Sequence, residues 1–539
     1  MEKVNSVSHD KPRLVVVMVI DQMRADYLWR WQHLWQHGFK KLLEKGMVYD
    51  NVYHDHVPTF TAVGHATIFT GTSPAIHGIV ANKWFDPIRK TKVYAVDDSI
   101  HKKVWGEPDD KGYSPANLRV PTVGDLLKLR NPQSKVVAIS LKDRSAILSG
   151  GKKADFAFWY DFIQGQWTTS SYYAPDLPQW VKDYNQKAHA AYFVPEKWRL
   201  HPKLHHLRDK YDPSPYERSP FKEVPEFPYD IMDAISSIPG TIGSTPWGNA
   251  ITLDFAKQAV KQMKLGKDSI TDLLAISLSS TDIVGHYFGP RSLELLDVYV
   301  RLDSLIGNFI DFLDESIGPE NYLLIITSDH GVAENWKFAR DSLSIDAGLL
   351  TQDSFKIWQE ELNAFIHKKI LEEIIKPMPV LLQEVESKPS RSKRKRRKKY
   401  PKNVLAIMNQ WVYLDRQKLG DFYDIALEAA RQWLVNKPQV LNAWTRKEIL
   451  LRQAPPYLIR SFDPERCGDI WFLLKPGWYE GYAETGTTHG TPYAYDQRVP
   501  VVFYGFNTQH AIYHEKKSIR FIAQHLVNLL GLSALWKVE

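Results

Sequence analysis

Acids and histidines that could do chemistry together occur in four places along the chain. They are Asp21, the pair Asp282-x-x-x-His286, the adjacent pair Asp329-His330, and His489 inside Gly486-Thr487-Thr488-His489-Gly490-Thr491-Pro492. Singly, each has an ordinary explanation, since an aspartate after an apolar run is commonly a turn former or a helix cap. Three apolar runs ending in such groups are a different matter, because together they can build a metal site. Asp and His without Cys form a borderline-hard donor set that suits zinc better than calcium. Three acids and three histidines exceed what one tetrahedral zinc ion can use. Two metals sharing a phosphate-like group, each holding one oxygen in line with the reacting centre, would use them all.

These residues need a frame. Leu14–Ile20, Lys135–Ser140, Leu273–Ser279, Tyr322–Thr327, Ile470–Leu474 and Val499–Tyr504 are short apolar runs bounded by polar residues. They are predicted to be strands covered on both faces, as in a parallel sheet. Helical periodicity falls between them, over Leu293 to Ile317 and Asn249 to Met263. Alternation of this kind predicts an α/β fold, a largely parallel sheet flanked by helices. Open sheets of this type bind ligands just beyond the carboxyl ends of their strands, where Asp21, Asp282 and Asp329 fall. Two stretches break the rhythm and read as inserted caps beside the site: 172–243, rich in Pro, Tyr, Trp and His, and 343–453, with amphipathic helices.

Composition narrows the function. With 44% hydrophobic and 24% charged residues over 539 positions, the chain is globular, neither disordered nor fibrous. Its single cysteine, Cys467, excludes an intramolecular disulfide and a cysteine-based metal site, and its context suggests an inert thiol. The net charge of +7 hints at nucleic acid, but Lys388 to Lys402 reads KPSRSKRKRRKKYPK, with ten basic residues and no acid. Without this tract the balance is −3. The tract is expected to be a solvated, mobile loop, with a polyanion or membrane-surface contact as the lesser reading. No nucleic acid partner is expected. The polar start, Met1 to Arg13, does not read as a signal peptide, and no apolar run approaches the roughly 18 residues of a membrane helix.

The segment Val57 to Asn82, VPTFTAVGHATIFTGTSPAIHGIVAN, adds a resemblance. With Asp21, Asp282-x-x-x-His286, Asp329-His330 and Thr488-His489-Gly490 in the same order, it resembles the alkaline phosphatase superfamily. The bacterial alkaline phosphatases with a threonine nucleophile and the type I phosphodiesterase/nucleotide pyrophosphatases share this pattern. The resemblance runs from about Leu14 to Gly505 and implies an alkaline-phosphatase-like core, taken here as one domain over 14–539. It implies Thr61 as nucleophile and metal ligand, and Asn82 as a donor to a phosphoryl oxygen. It also implies two zinc ions, one held by Asp21, Asp329 and His330, the other by Asp282, His286 and His489. A periplasmic or exported location is implied as well. Bottom-up, Thr61 is expected just before a helix predicted over 64–70, whose N-terminal dipole would favour an alkoxide, and a metal-bound hydroxyl loses its proton readily. Thr59, Thr67 and Thr70 compete with it, and the Thr-x-x-Gly-His register favours Thr61. His65 and His77 have no metal role in the pattern and are read as supporting or structural.

One pair separates the branches. Lys142 and Arg144 follow the predicted strand 135–140, and residues two apart in an extended segment point to one side. Both could then reach one dianion, and a monoester phosphate carries one more charge than a diester. This pair resembles the lysine and arginine of the threonine-nucleophile alkaline phosphatases, which the diesterases lack. The expected function is a two-zinc phosphomonoesterase acting on small phosphate monoesters through a phosphothreonine. A phosphodiesterase on the same scaffold is the alternative. A sulfatase would need Cys or Ser in a Cys/Ser-x-Pro-x-Arg context, and Cys467 is followed by Gly-Asp-Ile. A polyanion-binding protein on an inactive scaffold is the rival from another class.

Overall fold

The computed structural model describes residues 10–107, 109–187, 193–211, 214–376 and 401–533. Residues 388–400 of the basic tract therefore lie outside the described residues. The main sheet has ten strands, and its centre is parallel, in the spatial order Tyr322–Thr327, Leu14–Ile20, Asp272–Leu278, Val136–Ser140, Phe156–Asp161. Leu14 stands opposite both Asp272 and Tyr322, so the three middle strands run level and release their following residues at one edge.

Every residue of these three strands is buried. Along the first, Leu14, Val16, Met18 and Ile20 enter one apolar core, and Val15, Val17 and Val19 enter the other. Helices Trp247–Gln262 and Leu293–Ser316 cover the first face, and Thr61–Thr70, Asp143–Gly150 and Phe521–Leu530 cover the second. Full burial of one such side chain stabilises by about 2 kcal/mol, so the sheet is a rigid base for the groups at its edge.

The α/β expectation holds, with corrections in detail. Val499–Tyr504 extends to Arg498–Gly505 and runs antiparallel to Tyr322–Thr327 and to Met47–Tyr53. Ile470–Leu474 is not in the main sheet. It belongs to a separate antiparallel sheet with Val404–Met408, Trp411–Leu414 and Val440–Thr445. Its even residues pack with helices Gln352–Ile375 and Tyr423–Val435, while Trp471 and Leu473 face the second core. A strand covered on both faces is apolar throughout whatever the direction of its neighbours, so the run could not reveal its sheet. The segment 343–453 is thus helices plus three strands of this sheet, not helices alone. The turn Asn409-Gln410 joins two of them, both residues in left-handed backbone at φ 53° and 62°. Segment 172–243 holds the helix Gln179–Lys187 and the short strands Lys197–Trp198 and Tyr229–Asp230, and its Trp198, Phe227 and Tyr229 pack into the first core. No helix among the described residues is long and apolar enough to cross a membrane.

Candidate active site

Asp21 follows the central strand directly, and its N–H donates to Leu278 O of the neighbouring strand at 3.1 Å. Asp282 and His286 lie one turn apart on the helix Ser280–Phe288, so both face the same way. Asp329 and His330 leave the strand Tyr322–Thr327. His489 arrives on the loop that Asp496 holds: one carboxylate oxygen accepts from Gly490 N–H, Thr491 N–H and the Thr491 hydroxyl at 3.0, 2.8 and 2.6 Å. The helix Thr61–Thr70 seats on the Asp329 turn so closely that a Cβ at Gly64 would stand 2.2 Å from Asp329 O. Glycine is required there.

Two sets of donor atoms converge: Asp21, Asp329 and His330, and Asp282, His330 and His489, all buried. The first set is the one expected. In the second, His330 stands within reach where His286 was expected, and His286 Nε2 lies 3.2 Å from Asp282 Oδ1, its ring against that of His489.

The three histidines are oriented alike. Nδ1 of His286, His330 and His489 meets the carbonyl oxygens of Thr487, Gly331 and Thr59 at 2.9, 3.0 and 2.6 Å. A carbonyl only accepts, so each Nδ1 carries the proton and each Nε2 lone pair is left for the centre. Burial lowers the pKa of His330 and of His489. His65 differs: Nδ1 donates to Thr61 O at 2.8 Å and Nε2 meets the Ser277 hydroxyl at 3.0 Å, so neither nitrogen is available.

The carboxylates carry more charge than burial tolerates alone. Burial, with Asp282 and Asp329 beside it, raises the Asp21 carboxyl well above the usual range, against the pull of Lys142. Burial acts on Asp282 and Asp329 in the same direction but is outweighed, chiefly by His286 and Lys142 for the first and by His330 and His65 for the second, and both fall below the usual range. Among the described residues Asp21 Oδ1 and Asp329 Oδ2 are buried and make no hydrogen bond, although His65 Nδ1 stands 3.3 Å from the latter. The two oxygens lie 3.4 and 3.6 Å from His330 Nε2. Bare carboxylate oxygens facing an imidazole lone pair fit a cation, and this Asp/His set fits a divalent metal.

Thr61 is the first residue of its helix, not a residue ahead of it, and its hydroxyl lies 3.4 Å from His330 Nε2. The rival hydroxyl of Thr59 is spent on Thr491 O at 3.0 Å. Those of Thr67 and Thr70 bond back to Val63 O and Ala66 O within the helix. Asn82 Oδ1 accepts from Ala62 N–H at 2.8 Å, capping the same helix and leaving its amide N–H groups to the cavity that Asn82 lines. His77 is structural, bonded to Thr67 and Ile79.

Lys142 and Arg144 both reach the site, though not for the reason expected. Lys142 is extended, but Asp143 opens the helix Asp143–Gly150, so Arg144 sits in its first turn. The Lys142 ammonium lies 2.5 Å from both Asp21 Oδ2 and Asp282 Oδ2, between two candidate ligands. Arg144 lines the cavity, and among the described residues its buried Nε–H has no hydrogen-bond partner. Cys467 is remote from these groups in function: it is buried, and burial pushes its thiol up to about 12.

Gln22 was not singled out by the sequence. Its Nε2 donates to Asp282 Oδ1 at 2.7 Å and its N–H to Asp329 Oδ1 at 3.3 Å, from left-handed backbone at φ 67°. It ties the two carboxylates together. Gln22→Ala is expected to weaken metal retention about tenfold, read by chelator competition. Unchanged affinity would show that the carboxylates hold their spacing without it.

A family model for type I phosphodiesterase / nucleotide pyrophosphatase matches residues 15–494, spanning the site from Asp21 to His489. The chain belongs to this family. Within it, the chain is 35% identical to the alkaline phosphatase PafA of Elizabethkingia meningoseptica, over 98% of this chain and 93% of that protein. It is 36% identical to the alkaline phosphatase PhoV of Synechococcus elongatus, over 93% of this chain and 86% of that one. The crystal structure of wild-type PafA superposes with a TM-score of 0.86 at 34% identity, covering 98% and 97% of the two chains. The type I phosphodiesterase family fold is therefore the fold of this protein, and the alkaline phosphatases within the family are similar to it along nearly its whole length.

Proposed function

We propose that the protein is a phosphomonoesterase of the alkaline phosphatase type. Near-full-length similarity to alkaline phosphatases supports the reaction class. The observation that carries monoester over diester is the placing of two cations, Lys142 and Arg144, at a centre that already has its nucleophile. A monoester offers them a further charged oxygen; a diester puts a carbon substituent there.

Asp21, Asp329 and His330 would hold one zinc ion, and Asp282, His286 and His489 another. When bound, such ions supply Lewis acidity, lower the pKa of a hydroxyl or water, and neutralise phosphoryl charge. The chain's own part follows from its geometry. Thr61 Oγ1 attacks phosphorus in line, the new Thr–O–P bond forms, and the ester P–O bond breaks. The leaving oxygen departs with its electron pair on the side opposite Thr61. The N-terminal end of the Thr61–Thr70 helix favours the negative charge on the attacking oxygen. Asn82 donates to one phosphoryl oxygen while its own Oδ1 stays fixed on Ala62 N–H. Arg144 donates its Nε–H to another. Lys142, whose ammonium stands between Asp21 and Asp282 at the centre, would offer its positive charge to the oxygen that a diester lacks. Water then attacks the phosphothreonine, the Thr–O–P bond breaks, and inorganic phosphate leaves.

The deciding experiment compares an aryl phosphate monoester with the matching diester on zinc-loaded protein. Faster diester turnover would make the phosphodiesterase reading the better one. Chelation is expected to remove activity, and zinc to restore it better than calcium or magnesium, because nitrogen supplies half the donors. Full activity in protein shown by elemental analysis to be metal-free would overturn the mechanism.

A further inference from the structure

The centre opens into a cavity of about 610 Å3. That is the size of sites that enclose a whole drug-sized ligand, and a phosphoryl group fills only its inner end, at Asn82, Arg144 and His489. In-line attack from Thr61 sends the leaving group outward, so the outer walls meet whatever alcohol the phosphate is attached to.

One outer wall is a hairpin that starts at the residue after Asn82, with strands Lys83–Asp86 and Thr91–Tyr94. Lys83 pairs with Tyr94 and Phe85 with Lys92, so Lys83, Lys92 and Tyr94 share a face. All three line the cavity, and Lys111 joins them. Lys83 Nζ lies 5.7 Å over the Tyr94 ring. Among the described residues, none of these three ammonium groups forms an ion pair with a carboxylate.

The acids in the same walls are already committed. Asp143 accepts from the Tyr94 hydroxyl and from Arg144 N–H at 2.5 and 2.6 Å. Asp97 accepts from Ser99 N–H and Gly112 N–H at 3.1 and 3.0 Å. Glu480 is half-buried, and burial pushes its carboxyl up to about 7, so it opposes Lys92 with less than a full charge at neutral pH. The opposite wall is fixed in place: Asn409, at the tip of the left-handed turn, donates from Nδ2 to Lys83 O at 2.7 Å. The cations therefore extend from Asn82 and Arg144 along the hairpin that starts at Lys83.

We propose that this outer cavity is a subsite for a second anion, and that the preferred monoesters carry a phosphate or carboxylate on the leaving group, several bonds from the scissile phosphate. The proposal rests on the phosphomonoesterase reading. Surface lysines often do no more than face water, so the test must separate binding from solvation.

Sorbitol 6-phosphate and 6-phosphogluconate are both open-chain primary phosphate esters and differ by a carboxylate in place of a hydroxymethyl group at the far end. Wild-type protein at low ionic strength is expected to favour 6-phosphogluconate in kcat/KM by about tenfold, with the preference shrinking as salt is added. The triple variant Lys83→Ala, Lys92→Ala, Lys111→Ala should bring the ratio to about one, and its unfolding temperature checks that it folds. A wild-type ratio near one, or a ratio that survives in the triple variant, overturns the subsite while leaving the phosphomonoesterase reading intact. No hydrolysis of either sugar phosphate or of an aryl monoester overturns that reading itself. The single variants, assayed alongside, show which lysine carries the effect if the triple variant is unstable.

Discussion

Thr61→Ala should lower kcat/KM on the order of ten-thousand-fold or more for monoester and diester alike, since loss of a covalent nucleophile removes the step common to both. The change is small in structural terms. The Thr61 backbone remains at the first helical position, and Asn82 still caps Ala62 N–H. The carboxylates and Nε2 atoms are untouched, so metal content by elemental analysis should stay at the wild-type level. That second readout separates a missing nucleophile from a damaged centre. Thr61→Ser, which keeps a hydroxyl, should recover most of the rate, and trapping with labelled substrate should label it and not the alanine variant. Thr61→Ala protein with near-normal turnover would remove Thr61 from the mechanism and direct attention to water as the attacking group.

Lys142→Ala should separate the two substrate classes. We expect monoester hydrolysis to fall about a hundredfold, the usual cost of one transition-state donor, and diester hydrolysis to fall far less. The ion pairs of Lys142 with Asp21 and Asp282 add a complication that the experiment can resolve. Without the ammonium, the three buried carboxylates lose a neutralising charge, so the metal-free variant should be less stable, and added zinc should restore its unfolding temperature. If both ester classes slow equally in zinc-saturated protein, Lys142 supports the carboxylates and does not read the substrate. Arg144 would then carry the monoester assignment alone.

Much of this site was legible because its residues sit at strand ends, and strands buried on both faces announce themselves as apolar runs. Asp21, Asp282, Asp329 and His330 could be placed from the runs before them, with His286 four residues after Asp282. His489 stood out as a further histidine in a glycine-containing loop, and the family resemblance then assigned it to a metal. The pairing of Lys142 with Arg144 was reached through an extended segment, whereas a helix begins between them; both side chains arrive at the centre by different geometry. Gln22 and Asp496 were invisible for a plain reason: each acts through hydrogen bonds to residues distant in sequence or to backbone, and neither leaves a pattern. The second sheet was missed because its strands are short, and its turn uses Asn and Gln in left-handed backbone where glycine would have given a signal.

The tying of three imidazoles to carbonyl oxygens has a consequence for how such a centre can change over time. Main-chain carbonyls persist through substitutions at Thr59 or Thr487 that keep the local path of the chain, and Gly331 is held as glycine because a Cβ there would stand 2.1 Å from Tyr495 O. The aim of the nitrogen donors is thus inherited with the fold. The carboxylates of Asp21 and Asp282 are held by side chains, Lys142 and Gln22, which one codon change can remove. Drift can reach the oxygen half of the centre, and through it the charge offered to a substrate, while the nitrogen half stays constant. Divergence between monoester and diester chemistry on one scaffold is therefore expected to run through the partners of Asp21 and Asp282, with the histidines left as they are.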